Sequence, residues 1–263
     1  MNAKDELLLG KTALVTGSSS GIGRAIALAL AEAGADVAVS YHTGGEAAAA
    51  LAGEVERLGS RVFCAQLNVA DPESIDRYFA AAQAALGPID ILINNAGIDG
   101  PTAPVAETDI AAWDLVQAVN LRGPFLCARA VLPGMLARGS GVILTISSVH
   151  EAIPWAGHAA YCAAKAGVAM LTRTLALEMQ DNGVRVVGLA PGAIRTPINI
   201  DVWDDPAQMA DLLTKIPIGR IGEPEEIADI VRFLVSSEAS YLTGVTVTVD
   251  GGMSAYPSFA HGG

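Results

Sequence analysis

The feature that most constrains this sequence is an alternation. Seven apolar runs, TALVT, DVAVSY, RVFCAQL, IDILIN, GVILTIS, VRVVGLA and VTVTV, are separated by Ala- and Leu-rich stretches at 21–34, 46–58, 72–86, 112–138, 158–181 and 224–236. Short runs rich in β-branched residues read as strands, and the longer stretches between them read as helices. Most runs are nearly continuous in apolar residues, where a strand with one wet face would alternate. Strands covered on both faces belong in a parallel sheet with right-handed helical crossovers. The expected fold class is therefore α/β: a Rossmann-like doubly wound parallel sheet of about seven strands with helices on both faces.

A chain of 263 residues, 51% hydrophobic and with mean hydropathy +0.40, has ample material for one large core. No shift in composition marks a boundary, so 1–263 reads as one domain. The opening MNAKDELLLGK has too short an apolar run for a secretory signal, and no later stretch reaches membrane-spanning length. A cytoplasmic location without membrane partners is expected. A net charge of −12 without a basic run argues against nucleic acid as a partner. Three widely spaced cysteines, Cys64, Cys127 and Cys162, suggest neither a disulfide framework nor a zinc site, and no metal is expected. The segment 193–222 is rich in Pro and Asp and long for a connection, which suits a substrate loop and equally a surface excursion.

The first strand runs directly into TGSSSGIG, residues 16–23. Gly17, Gly21 and Gly23 stand where a tight strand-to-helix turn needs unusual dihedrals and where bulk would keep a pyrophosphate from the helix N-terminus. With Ser19, Ser20 and Ile22 they form a candidate phosphate cradle. The second strand ends in SYHT, where an acidic side chain would bind a ribose 2′-hydroxyl and repel a 2′-phosphate. Tyr41 and His42 stand there instead, and a histidine is only partly charged at neutral pH. The choice between NAD and NADP stays open, and His42 could equally be an exposed turn residue.

A third stretch, SSVHEAIPWAGHAAYCAAK at 147–165, places Tyr161 and Lys165 four residues apart on one helix face. Alone that pair is unremarkable. Joined to TGSSSGIG, NNAG at 94–97, Asn120, Ser148 thirteen residues before Tyr161, and PGAIRT at 191–196, it resembles the short-chain dehydrogenase/reductase family over essentially the whole chain. Within that family the chain is similar to bacterial glucose 1-dehydrogenases, through SSVHE, IPW, TPIN, GEPEEIA, SSEASY and DGGM with YPSF. His42 and Asn68 depart from that pattern, where Arg and Asp are usual.

The resemblance implies roles. Asn68, Val69, Asn95, Ala96, Gly97, Pro191, Gly192, Ile194 and Thr196 would line the cofactor, together with the glycine turn, Tyr161 and Lys165. Free tyrosine is a weak base at neutral pH, and an ammonium one turn away is expected to lower its pKa by about 1 to 3 units. Tyr161 would then take the proton of a substrate hydroxyl as hydride leaves the same carbon, with Lys165 beside it, Ser148 donating to the substrate oxygen, and Asn120 supporting a water that leads to Lys165. His150 and Glu151, after the serine, are expected to hydrogen-bond a polyol, with Asp99, beside Ile98, Gly100 and Pro101, as a further candidate. His158 is expected to cap or flank the helix, and Trp155 and Trp203 to pack. The expected activity is oxidation of an aldose at C1 to its lactone with NAD or NADP. A ketone or 3-oxoacyl reductase is the rival, and a cofactor-binding protein without turnover the rival of another class. The tail and the long helices 112–138 and 158–181 imply, by resemblance alone, a homotetramer.

Overall fold

The computed structural model describes residues 7–197 and 205–255. Its sheet has seven parallel strands: β1 (Thr12–Val15), β2 (Asp36–Tyr41), β3 (Val62–Gln66), β4 (Ile91–Asn94), β5 (Gly141–Ile146), β6 (Val184–Pro191) and β7 (Thr246–Val249). They lie in the order β3-β2-β1-β4-β5-β6-β7. The order runs outward in two directions from β1 and β4, so the crossovers cover opposite faces and a crevice opens beyond the carboxyl ends of the two central strands. The seven apolar runs are these seven strands, and the continuity of their apolar residues has a direct structural cause. In β1, Ala13 and Val15 pack into one layer and Leu14 into the other; in β4, Ile91 and Ile93 face the first layer and Leu92 the second.

The first layer is closed by α1 (Gly21–Glu32), α2 (Gly45–Arg57) and a late helix Pro224–Val235, through Ile26, Leu30, Leu51, Ile227 and Val231. The second is closed by α3 (Pro72–Leu86) and a helix Gly123–Arg138, through Phe79, Cys127 and Met135. Local chemistry sets the helix ends. Asp71 caps α3 by accepting from the Glu73 amide at 3.0 Å, with Pro72 in the first turn, and Gly87 follows the helix with φ of 96°.

The stretch expected as one helix over 112–138 is two, α4 (Ile110–Gln117) and α5 (Gly123–Arg138), joined by a π-helical turn at Ala118–Arg122. Pro124 has no N–H to give the Asn120 carbonyl, so the regular bond is lost there. The turn is held instead by the Asn120 side chain, which accepts from the Ile98 amide at 2.9 Å and donates to the Ile98 carbonyl at 2.6 Å. The next helix, α6 (Ala159–Glu178), is continuous. The segment 193–222 contains α7 (Pro206–Leu213), capped by Asp205, and an isolated parallel bridge between Ile194 and Gly222; α8 is Pro224–Val235. Trp203 and the YPSF tail lie outside the described residues. No helix among the described residues is long and apolar enough to cross a membrane.

Candidate active site

A cavity of about 1380 Å³ opens over the carboxyl ends of β1, β4, β5 and β6. Its first wall is the glycine turn. Gly17 and Gly21 have φ of 64° and 54°, in the left-handed region that favours glycine. A Cβ at Gly23 would collide with the side-chain amide of Asn95 and the carbonyl of Gly17, so only glycine fits that position. The turn is tied to two strand ends. Asn95 Nδ2 donates to the carbonyls of Thr16 and Gly17 at 3.0 Å each, and the Gly17 amide donates to Ser40 Oγ at 3.0 Å. With Ser20 as extended N-cap and no acidic residue in the first turn of α1, the helix N-terminus faces the cavity as a site for negative charge.

Every cofactor candidate named from the sequence lines this cavity except Tyr41. The Tyr41 ring lies against Gly45, where a Cβ would come within 3.2 Å of it, and the side chain packs on the first core layer. His42 and the neighbouring Thr43 line the cavity in its place. Asn68 accepts from the Ala70 amide at 3.0 Å, a turn that brings Val69 to the wall. A cradle closed to any Cβ, a helix N-terminus free of carboxylates and a groove of this size together fit a nicotinamide dinucleotide.

Ser148 follows β5 and caps the short turn Val149–Glu151, accepting from the His150 amide at 3.2 Å. It stands beside the Tyr161 phenol, whose pKa its hydroxyl lowers. Lys165 is buried, its Nζ donates to the Ile146 carbonyl at 2.9 Å, and it lies 5.5 Å from the centre of the Tyr161 ring. Asn120 is buried and does not reach the cavity itself. It fixes Gly97 and Ile98, which do.

The electrostatics differ from expectation. Loss of solvent pushes the Tyr161 phenol up to about 12, against the lowering effect of the Ser148 hydroxyl. Burial pulls Lys165 down to about 8, while Asp99 and Glu151 hold it up. The lysine was expected to dominate the tyrosine; in the protein alone, desolvation of the phenol is the larger effect.

Of the substrate candidates, Ser148, Tyr161, His150 and Asp99 line the cavity. Glu151 does not: its carboxylate is half-buried, its Oε2 has no hydrogen-bond partner among the described residues, and burial raises its pKa against the lowering effect of Ser147, Arg173 and Lys165. The assignment of Glu151 to the substrate is therefore not met, and its carboxylate acts on Lys165 through its charge. His150 Nδ1 lies 3.1 Å from the Ile153 carbonyl, and burial lowers its pKa; burial raises that of Asp99. Trp155, expected only to pack, stacks on His150 and on His158 with ring centres 4.7 and 3.7 Å away, stands edge-on to Tyr161, and is part of the cavity wall. Sequence reasoning also missed Leu115, Val119, Ile153, Leu212 and Lys215 in that wall. The i, i+4 pair Leu115 and Val119 was a legible signal.

A family model described as enoyl-(acyl carrier protein) reductase matches residues 17–254. The 3β-hydroxysteroid dehydrogenase 1 of Eggerthella lenta is 44% identical over 97% of this chain and 98% of its own length. Glucose 1-dehydrogenase 2 of Bacillus subtilis is 40% identical, covering 95% of this chain and 97% of its own. Among solved structures, a 7α-hydroxysteroid dehydrogenase complexed with NADH and 7-oxo glycochenodeoxycholic acid matches with a TM-score of 0.90 at 34% identity, over 96% of this chain and 97% of that one.

Gly23→Ala is expected to weaken NADH and NADPH binding by at least about tenfold, measured by fluorescence titration, because the added methyl displaces Asn95 from the turn. Unchanged affinity for both would remove the turn from the cofactor site.

Proposed function

Since this chain belongs to the short-chain dehydrogenase/reductase family and is an NAD(P)-dependent oxidoreductase, we propose that its substrate is a secondary alcohol, or the matching ketone, carried on a largely apolar ring. The observation that carries this reading is the set of apolar side chains in the cavity lining, Leu115, Val119, Ile153, Trp155 and Leu212, from which Glu151 is absent; of the polar residues of α7 and its end that join them, Asp211 and Lys215 are paired with each other at 2.7 Å. A fully hydroxylated sugar would leave hydroxyls unpaired against that wall, at about 1–3 kcal/mol each. The name of the steroid dehydrogenase relative supports the same reading.

When bound, the nicotinamide ring supplies the hydride acceptor or donor. Tyr161 takes the proton from the substrate hydroxyl in oxidation and returns it in reduction. Ser148, beside Tyr161, donates to the substrate oxygen and so fixes the reacting carbon near the phenol. Lys165, when charged, favours the phenolate, and with a pKa of about 8 it changes charge near neutrality. Asn120 holds Gly97 and Ile98 and thereby the floor beneath Lys165.

A second reading, oxidation of an aldose at C1 to the lactone, is supported by Asp99 and His150, two polar groups that line the same cavity, and by the name of the glucose dehydrogenase relative. Steady-state kcat/KM with NAD and with NADP, over alicyclic alcohols and ketones, aldoses and 3-oxoacyl thioesters, separates the readings. The expected order is alicyclic substrates above aldoses by at least about tenfold. An aldose at the head of the panel would replace the first reading with the second, and a 3-oxoacyl thioester there would overturn both.

Apolar side chains exposed on α5 and α6, Phe125, Met170 and Leu177, support assembly with further copies, in line with the homotetramer that the resemblance implies. Light scattering is expected to give four times the chain mass of 26.9 kDa. A monomer mass would contradict it.

A further inference from the structure

Beside the main cavity, a second one of about 10 Å³ lies between α4 and the turn that enters α6. Asp99, Thr108, Trp113, Val116 and His158 are among the residues around it, and Asp99 lines both cavities. His158 is only 8% exposed. Its Nε2 lies 3.1 Å from Thr102 Oγ1, while its buried Nδ1 has no hydrogen-bond partner among the described residues. A buried ring nitrogen without a partner is costly, and the space beside it is about that of one water, which needs two or more polar partners. The partners are present. His158 Nδ1 is one, and the Asp99 carboxylate, which lines the same space, is the other.

We propose that the smaller cavity holds one structural water that bridges His158 Nδ1 to the Asp99 carboxylate, and that His158 is thereby a positioning residue keeping Asp99 turned toward Tyr161 and Lys165. With the His158 proton on Nε2, donated to Thr102, Nδ1 accepts one proton of the water and Asp99 the other. The bridge links the N-cap of the helix that carries Tyr161 and Lys165 to the loop after β4 that carries Asp99. Asp99 faces His158, Lys165 and His150; its charge raises the pKa of Lys165, as Glu151 also does, and that of Tyr161. Losing hold of the carboxylate therefore makes the catalytic pair more acidic.

This inference stands apart from the choice of substrate, because any compound the enzyme oxidises reports it. The test is kcat/KM for oxidation against pH in wild type, His158→Leu, His158→Gln, Asp99→Asn and the double variant His158→Leu with Asp99→Asn. Oxidation needs the deprotonated base, so activity rises with pH, and the rising limb is expected to move to lower pH by roughly 0.5 unit in His158→Leu. His158→Gln, which keeps a polar atom for the water, is expected to stay near wild type. Asp99→Asn is expected to move the limb the same way, and His158→Leu to add nothing to it. A limb unmoved in His158→Leu, or moved additively in the double variant, overturns the proposal. So does a high-resolution crystal structure of the wild type with no water within hydrogen-bond reach of His158 Nδ1, a measurement that decides the matter alone should the leucine variant not fold.

Discussion

The site depends on one buried ammonium. Lys165 sits inside the protein at the end of β5, where an unpaired charge would cost several kcal/mol. Its hydrogen bond to the Ile146 carbonyl and the nearby Asp99 and Glu151 offset that cost in part, and burial still pulls its pKa to about 8. Placing that amine constrains everything around it. Packing of α6 against β6 and the bond to the end of β5 set its depth, Tyr161 stands one helical turn earlier, and Ser148 just after β5 stands beside the phenol. The topology supplies the rest, since the outward winding from β1 and β4 opens the crevice where these groups meet the glycine turn.

Two carboxylates have unlike places in this arrangement. Glu151 lies outside the cavity lining with its Oε2 unpartnered among the described residues, whereas Asp99 stands at the boundary between substrate space and the small cavity beside His158. Both help to hold the proton on Lys165, and only Asp99 lines the main cavity. The Glu of SSVHE is therefore absent from the wall, and Trp155, stacked with both His150 and His158, contributes its bulk to it.

What was legible in the sequence was whatever has a period or a strict steric demand. Continuous apolar runs announce strands packed on both faces, and Gly23 announces itself because no Cβ fits beside Asn95. Tyr161 and Lys165 share a helix face by spacing alone. Glu151 and Trp155 could not be aimed from sequence, because a short 3-10 turn and the loop after it carry no period that says which side faces in. Tyr41 stands at the last position of a strand and packs on Gly45, with His42 one residue on lining the cavity. The break at Ala118–Arg122 had a signal in Pro124, which removes one helical donor, but the apolar pattern runs through it. The pKa of Tyr161 was misjudged because spacing reveals a neighbouring charge and does not reveal how much water is excluded.

The central claim is that Tyr161 carries the proton while the rest of the site holds cofactor and substrate in place. Single-turnover hydride transfer in Tyr161→Phe, measured alongside the Kd for NADH, tests it most directly. The account predicts a rate lower by at least about 100-fold with the Kd unchanged. A rate within a few-fold of wild type would contradict it.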